Sequence, residues 1–202
     1  MPQTLEQLPF SQACENNKQP ILTLLTQWLN NRQHILEIGS GTGQHSVYFA
    51  KNLPHVRWQP SDQLHYLDTL QTRLNLQASP NLQQAISLDV TQQWPLLTSN
   101  VDAIFSANTL HIMSQSMVEA FFTGVGSVLV NSGSLVIYGP FNYQGQFTSD
   151  SNRQFNLWLQ QNNPQSSIRD IEWICHLAQQ QGLTLQEDIA MPANNRMLHF
   201  IK

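Results

Sequence analysis

The stretch ILEIGSGTGQH, residues 35–45, decides the fold. A short apolar run ends at Gly39, and Gly41 and Gly43 follow at alternate positions. Such a run reads as a buried strand. Glycines directly after it allow a tight turn into a helix and a close approach of backbone to ligand. Outward from it, apolar runs alternate with helical spacings. Ile21, Leu24, Leu25, Trp28 and Leu29 mark one face of a preceding helix, with Pro20 expected in its first turn. Val47, Phe49 and Ala50 mark a helix after the glycines. VRWQPSD (56–62) reads as strand two, and Leu64, Leu67, Leu70 and Leu74 as a leucine-spaced helix. AISLDV (85–90) and VDAIFSA (101–107) read as strands three and four. Ser116 and Glu119 have capping-box spacing for a helix carrying Val118, Phe121, Phe122 and Val125. GSLVIYGPF (133–141) is strand five, and two helices are expected over 152–161 and 168–181. The last strands, 183–190 and 196–201, are joined so closely by MPANN that they must be antiparallel.

Strands separated by helices predict an α/β fold: a Rossmann-like, doubly wound, mostly parallel seven-stranded sheet with a C-terminal antiparallel hairpin. The expected organisation is one domain over residues 1–202, with residues 1–31 as a helical extension that closes over the site.

Composition narrows the function. The chain has 202 residues, and only 11% are charged, less than half the usual ~25%. Amides fill the gap, with 26 Gln and 17 Asn. The net charge is −4, and no basic run is available to neutralise phosphates, which argues against nucleic acid and anionic membranes as partners. Cys14 and Cys175 make no disulfide framework, and Cys175-His176 lacks further ligands, so no metal site is expected. The start MPQTLEQLPF lacks the pattern of a signal peptide, and no apolar stretch is long enough for a membrane span. A cytoplasmic location and a small-molecule partner are expected; oligomeric state is left open.

With so few charges, position makes each acid informative. Glu37 lies inside the first strand, Asp62 ends the second and Asp89 ends the third. In a doubly wound sheet such strand ends line one crevice. Asp62, 19 residues past Gly43, has the place of an acid that takes two ribose hydroxyls, and Asp89 with Val90 would cover an adenine edge. Glu37 suits a ligand with a cationic amine. Gln44 stands where a dinucleotide fingerprint needs glycine, which disfavours a nicotinamide cofactor.

The pattern E-x-G-x-G-x-G, with acids after strands two and three and a terminal hairpin, resembles class I S-adenosylmethionine-dependent methyltransferases. More narrowly, ACENNKQPIL (13–22), EIGSGTGQH (37–45), SANTLHIM (106–113), YGPFNY (138–143), FTSDSN (147–152) and AMPANNRM (190–197) resemble the DUF938 family, which includes the methyltransferase-like 26 proteins. The resemblance implies S-adenosyl-L-methionine as cofactor. Gly39, Ser40, Gly41, Gly43, Gln44 and His45 would surround its methionine part, and Glu37 would orient its amine through loop backbone or water. Asp62 would hold the ribose and Asp89 with Val90 the adenine. Asn108 and the residues up to His111 would lie beside the sulfonium.

Methyl transfer from a sulfonium needs alignment more than a strong catalyst. A base is required only when the acceptor must lose a proton, and His111 at the end of strand four is the candidate. Tyr138, ending strand five, could orient an acceptor. His45 in a helix N-terminal turn is better placed for structure or cofactor contact than for catalysis. Three of the six arginines come late. Arg153, Arg169 and Arg196, with Asn142 and Asn194, are expected to gather over the acceptor pocket and to suit a small, anionic substrate. The rival reading is a cofactor-binding module that serves a protein partner without catalysis of its own.

Overall fold

The computed structural model describes residues 4–95 and 100–202; residues 1–3 of the expected extension lie outside these. Strands β1 (His34–Ile38), β2 (Arg57–Asp62), β3 (Ile86–Ser87), β4 (Val101–Ala107), β5 (Leu129–Gly139), β8 (Thr184–Met191) and β9 (Asn195–Ile201) form one sheet. A two-stranded piece pairs β6 (Phe141–Asn142) with β7 (Arg169–Asp170). The helices are α1 (Gln12–Trp28), α2 (Gln44–Asn52), α3 (Leu67–Leu76), α4 (Gln115–Val128), α5 (Asp150–Asn162) and α6 (Ile171–Gln180).

The seven-stranded order is β3-β2-β1-β4-β5-β9-β8. The first five strands are parallel, β9 runs antiparallel to β5, and β8 runs antiparallel to β9. The doubly wound sheet and its terminal hairpin are therefore as the alternation predicts. Period two divides β1 between two cores. Leu36 and Ile38 pack with Phe121 and Phe122 of α4 and Ile174 and Leu177 of α6. Ile35 packs on the other face with Leu25 of α1, Phe49 of α2, Trp58 and Phe105. The chain reverses its winding direction between β1 and β4, which opens a crevice at the C-terminal ends of the strands.

Four local readings are corrected. Helix α1 begins at Gln12, where the Ser11 hydroxyl accepts the Cys14 N–H, so Pro20 is an interior residue and not a first-turn one. Helix α4 is capped by Ser114, whose hydroxyl accepts from Met117 N–H at 3.2 Å; Ser116 lies in the first turn. Strand β5 begins at Leu129, ahead of Gly133. Strand β3 has only two residues, so Asp89 falls beyond its end.

Candidate functional site

A cavity of about 1190 Å³ lies over the C-terminal ends of β1, β2, β4 and β5. Its floor is the glycine loop, which two backbone bonds clamp to β2: Gly39 and Ser40 both donate N–H to the Ser61 carbonyl, at 3.1 and 3.0 Å. Gly41 has φ +54°, and a Cβ there would project into open space. The loop thus bares its backbone to the cavity. Beside it stands Asp62. Its Oδ2 accepts Gly41 N–H at 2.6 Å, and its Oδ1 accepts Gln63 N–H at 2.8 Å. Burial pushes this carboxyl up, while the two N–H donors hold it down in part. Each oxygen keeps a lone pair for a ligand hydroxyl. Leu88 and Val90 supply an apolar wall past β3.

The other end of the cavity is built by Asn108, His111 and Tyr138, by the start of α5, and by the turn between β8 and β9. Asn108 takes φ +58°, and its N–H donates to the Tyr138 carbonyl at 2.8 Å, so the ends of β4 and β5 are locked together. The His111 ring makes no hydrogen bond among the described residues and packs edge-on against Phe155, centroids 5.3 Å apart. Its burial, with the Arg169 charge adding to it, lowers its pKa to about 4. Burial raises the Tyr138 phenol, and neighbouring Asn17 and Asn195 side chains oppose this. His45 is also lowered to about 4 by burial, and its Nε2 meets Asn17 Oδ1 at 2.7 Å.

The first turns of α1 close one side of the cavity through Ser11, Cys14 and Asn17. This segment is held from outside. Arg73 donates to the Pro9 carbonyl at 2.7 Å. Gln44 Oε1 accepts Ser11 N–H at 2.7 Å, and its Nε2 donates to Glu15 at 2.7 Å.

Of the expected ligand-binding residues, Gly39, Ser40, Gly41, His45, Asp62, Val90, Asn108, His111, Tyr138 and Asn194 line the cavity. Four cofactor positions do not. Glu37 shares the face of Ile35, and its Oε2 accepts from Ser46 Oγ and, at 2.8 Å, from Trp58 Nε1. It is a buried strut beneath α2, where desolvation raises its carboxyl. Gly43 has φ +76°, and a Cβ there would come within 2.8 Å of Leu70, so it serves the packing of α2 on α3. Gln44 is the latch just described. Asp89 turns its Oδ1 back onto Thr91, accepting from the backbone N–H at 2.9 Å and from the hydroxyl at 2.7 Å.

The arginine cluster is corrected too. Arg153 is exposed and pairs with Asp150 one helical turn away. Arg169 is a buried clamp that donates to the carbonyls of Leu110, Met113 and Gln165 and to Ser167 Oγ. Arg196 pairs with Asp188 at 2.7 Å and lies over the Tyr143 ring. Asn142 is buried in β6, away from the cavity. Asn17, Asn152 and Phe155 line the cavity but were not expected there. The i, i+3 spacing of Asn152 and Phe155 on α5 could have found that pair.

The model of the family described as "Protein of unknown function (DUF938)" matches residues 8–202. The chain belongs to this DUF938 family. Among solved structures, an O-methyltransferase family protein from Burkholderia thailandensis superimposes with a TM-score of 0.81 at 12% identity, over 94% of this chain and 57% of that one. Human N-acetylserotonin methyltransferase, in complex with SAM, gives 0.77 at 13% identity, over 94% and 52%. PigF with SAH gives 0.78 at 13% identity, over 91% and 55%. The DUF938 chain spans about half the length of these proteins and shares their fold. Among the described residues no helix is long and apolar enough to cross a membrane.

Proposed function

We propose that this DUF938 chain is an S-adenosylmethionine-dependent methyltransferase acting on a small molecule. The observation that carries the reading is Asp62. Its carboxylate, anchored by Gly41 N–H, faces a crevice at the chain reversal, beside a loop whose backbone is bare. A carboxylate with free lone pairs suits a ribose diol, and the wall of Leu88 and Val90 suits a purine. Gly39, Ser40 and Gly41 would hold the amino-acid part.

When bound, S-adenosylmethionine supplies an electrophilic methyl on a sulfonium; its transfer leaves S-adenosylhomocysteine and, from a protonated acceptor, releases one H⁺. The residues of the chain do the rest. Asn108 and Tyr138 orient the acceptor. His111, neutral at physiological pH and with no ring hydrogen bond among the described residues, accepts a hydrogen bond from the acceptor O–H or N–H and so turns the acceptor's own lone pair toward the methyl. The first turns of α1 and the β8–β9 turn exclude water. The cavity of about 1190 Å³ exceeds the ~300–1,000 Å³ usual for a single ligand, which supports room for cofactor and acceptor together. That volume, with an unpaired polar group at the acceptor end, favours catalysis over a module that only binds cofactor.

Isothermal calorimetry with S-adenosylmethionine and S-adenosylhomocysteine tests the reading. Binding by the wild type and at least tenfold weaker binding by Asp62→Asn are expected; removal of a charged hydrogen-bond acceptor costs about 1.5–3 kcal/mol. Absence of heat with either compound refutes it.

A further inference from the structure

Of the 9 Lys and Arg and 13 Asp and Glu of the chain, Asp62 alone lines the cavity among the described residues, and it lies at the cofactor end. The acceptor end is walled by polar groups without charge and by an aromatic ring. The late arginines that could have met an anion are turned to Asp150, to backbone carbonyls and to Asp188. The ring of Phe155 stacks on Trp158, centroids 5.9 Å apart and planes 14° apart, with His111 edge-on to it. Met113 and Met117 also line the cavity.

The roof is braced rather than loose. Asn194 Nδ2 donates to Ser151 Oγ at 3.1 Å, and Asn152 Nδ2 donates to the Asn194 carbonyl at 3.0 Å. These bonds tie the start of α5 to the β8–β9 turn, where Ala193 and Asn194 both have positive φ. They use the Asn152 amide nitrogen and leave its Oδ1 unpaired among the described residues. A cation entering this end would shed water, meet no carboxylate and feel the Arg169 charge that already acts on His111, while an anion would find the Arg169 donors spent on backbone carbonyls. A neutral ring would meet an aromatic face, and its hydroxyl or N–H would meet His111, Tyr138 or Asn152 Oδ1.

We propose that the acceptor is an uncharged small molecule with a flat aromatic ring, seated against Phe155 with its hydroxyl or N–H toward His111 and Tyr138. This rests on the methyltransferase reading above, and its test separates the two. Calorimetry with S-adenosylhomocysteine alone comes first; no binding there defeats the underlying reading. Wild-type protein saturated with S-adenosylhomocysteine is then titrated at pH 7.5 with matched single-ring phenols, followed by saturation-transfer NMR. Each set holds one neutral, one carboxylate and one ammonium member, as in para-hydroxybenzamide, para-hydroxybenzoate and tyramine. Neutral members are expected to bind at least tenfold more tightly than their charged partners. Phe155→Ala should weaken the neutral members at least tenfold and leave the S-adenosylhomocysteine affinity within twofold. Phe155→Leu, which keeps the packing volume, should show the same loss if the alanine variant does not fold. Equal or tighter binding of carboxylates or amines, no binding by any neutral ring, or indifference to both Phe155 variants overturns the proposal.

Discussion

His45 offers the sharpest test of how burial shapes this site. Its ring is 5% exposed, stacks on Phe49 with centroids 5.0 Å apart, and bonds to Asn17. The Glu15 charge and the Cys14 carbonyl favour the imidazolium, yet burial outweighs them and the pKa falls from 6.5 to about 4. A group whose pKa is lower in the folded state takes up protons preferentially when unfolded. Its contribution to stability is therefore complete above pH 6.5 and is lost as pH falls toward 4. Linkage between these two values gives a loss of about 1.4 kcal/mol at pH 5.5 and about 2.5 kcal/mol at pH 4.5, relative to pH 7.5. Glu37 and Asp62 act with opposite sign in the wild type, since burial raises both and acid relieves their buried charge. The comparison must therefore be with His45→Gln, which keeps a donor for Asn17 and cannot titrate. Urea unfolding at half-unit steps from pH 7.5 to 4.5 gives both curves. The wild type should lose about 2.5 kcal/mol more than the variant over that range. Parallel curves would refute the claim that His45 is held neutral by burial.

Three further outcomes are expected. Arg169→Ala strands the carbonyls of Leu110, Met113 and Gln165 and should cost about 2–4 kcal/mol in urea unfolding, whereas exposed Arg153→Ala should stay within about 0.5 kcal/mol. Gly124→Ala places a Cβ 2.0 Å from Trp94 Cε2, and such overpacking should cost about 1–3 kcal/mol, read as a lower thermal midpoint. Because the His111 pKa lies at about 4, kcat/KM for an acceptor should show no inflection near pH 6.5 and should fall only below about pH 5; His111→Gln should keep S-adenosylhomocysteine affinity while kcat drops.

The strands were legible where apolar runs are long. VDAIFSA gave β4 to the residue, because its run of apolar residues, broken only by Asp102 and Ser106, fits a buried parallel strand. The two-residue β3 was overread, since ISLDV is equally apolar whether it pairs or merely lines a cavity. The glycine loop and Asp62 were legible because strand-end chemistry is local. That Glu37 does not face the cavity directly is legible in its own sequence: in β1 it shares the face of Ile35, beneath α2, and not the face of Leu36 and Ile38. Of the late arginines, Arg153 has a partner legible at i, i+3 in Asp150, but the other two were not legible. Arg169 meets carbonyls 56 and 59 residues away, and Asp188 reaches Arg196 only through the hairpin register. Chain spacing carries no trace of such partners. The far end of the cavity was half seen, in His111, Tyr138 and Asn194, while Asn152 and Phe155 of α5, which also line it, were not.

The place of β9 in the sheet has a consequence for how the chain is made. Although latest in sequence among the strands, β9 sits between β5 and β8 and bonds to both. Until residues 195–201 have left the ribosome, the edge of β5 with its Leu135-Val136-Ile137-Tyr138 run has no partner on that side. Strand β8 meanwhile has no place in the sheet. A nascent chain therefore carries an open apolar edge of the kind that recruits other strands, for as long as the ribosome takes to translate from β5 to β9. Synthesis that stalls over the final hairpin leaves a chain able to build the glycine loop and β2 end of the crevice but prone to pair with its neighbours.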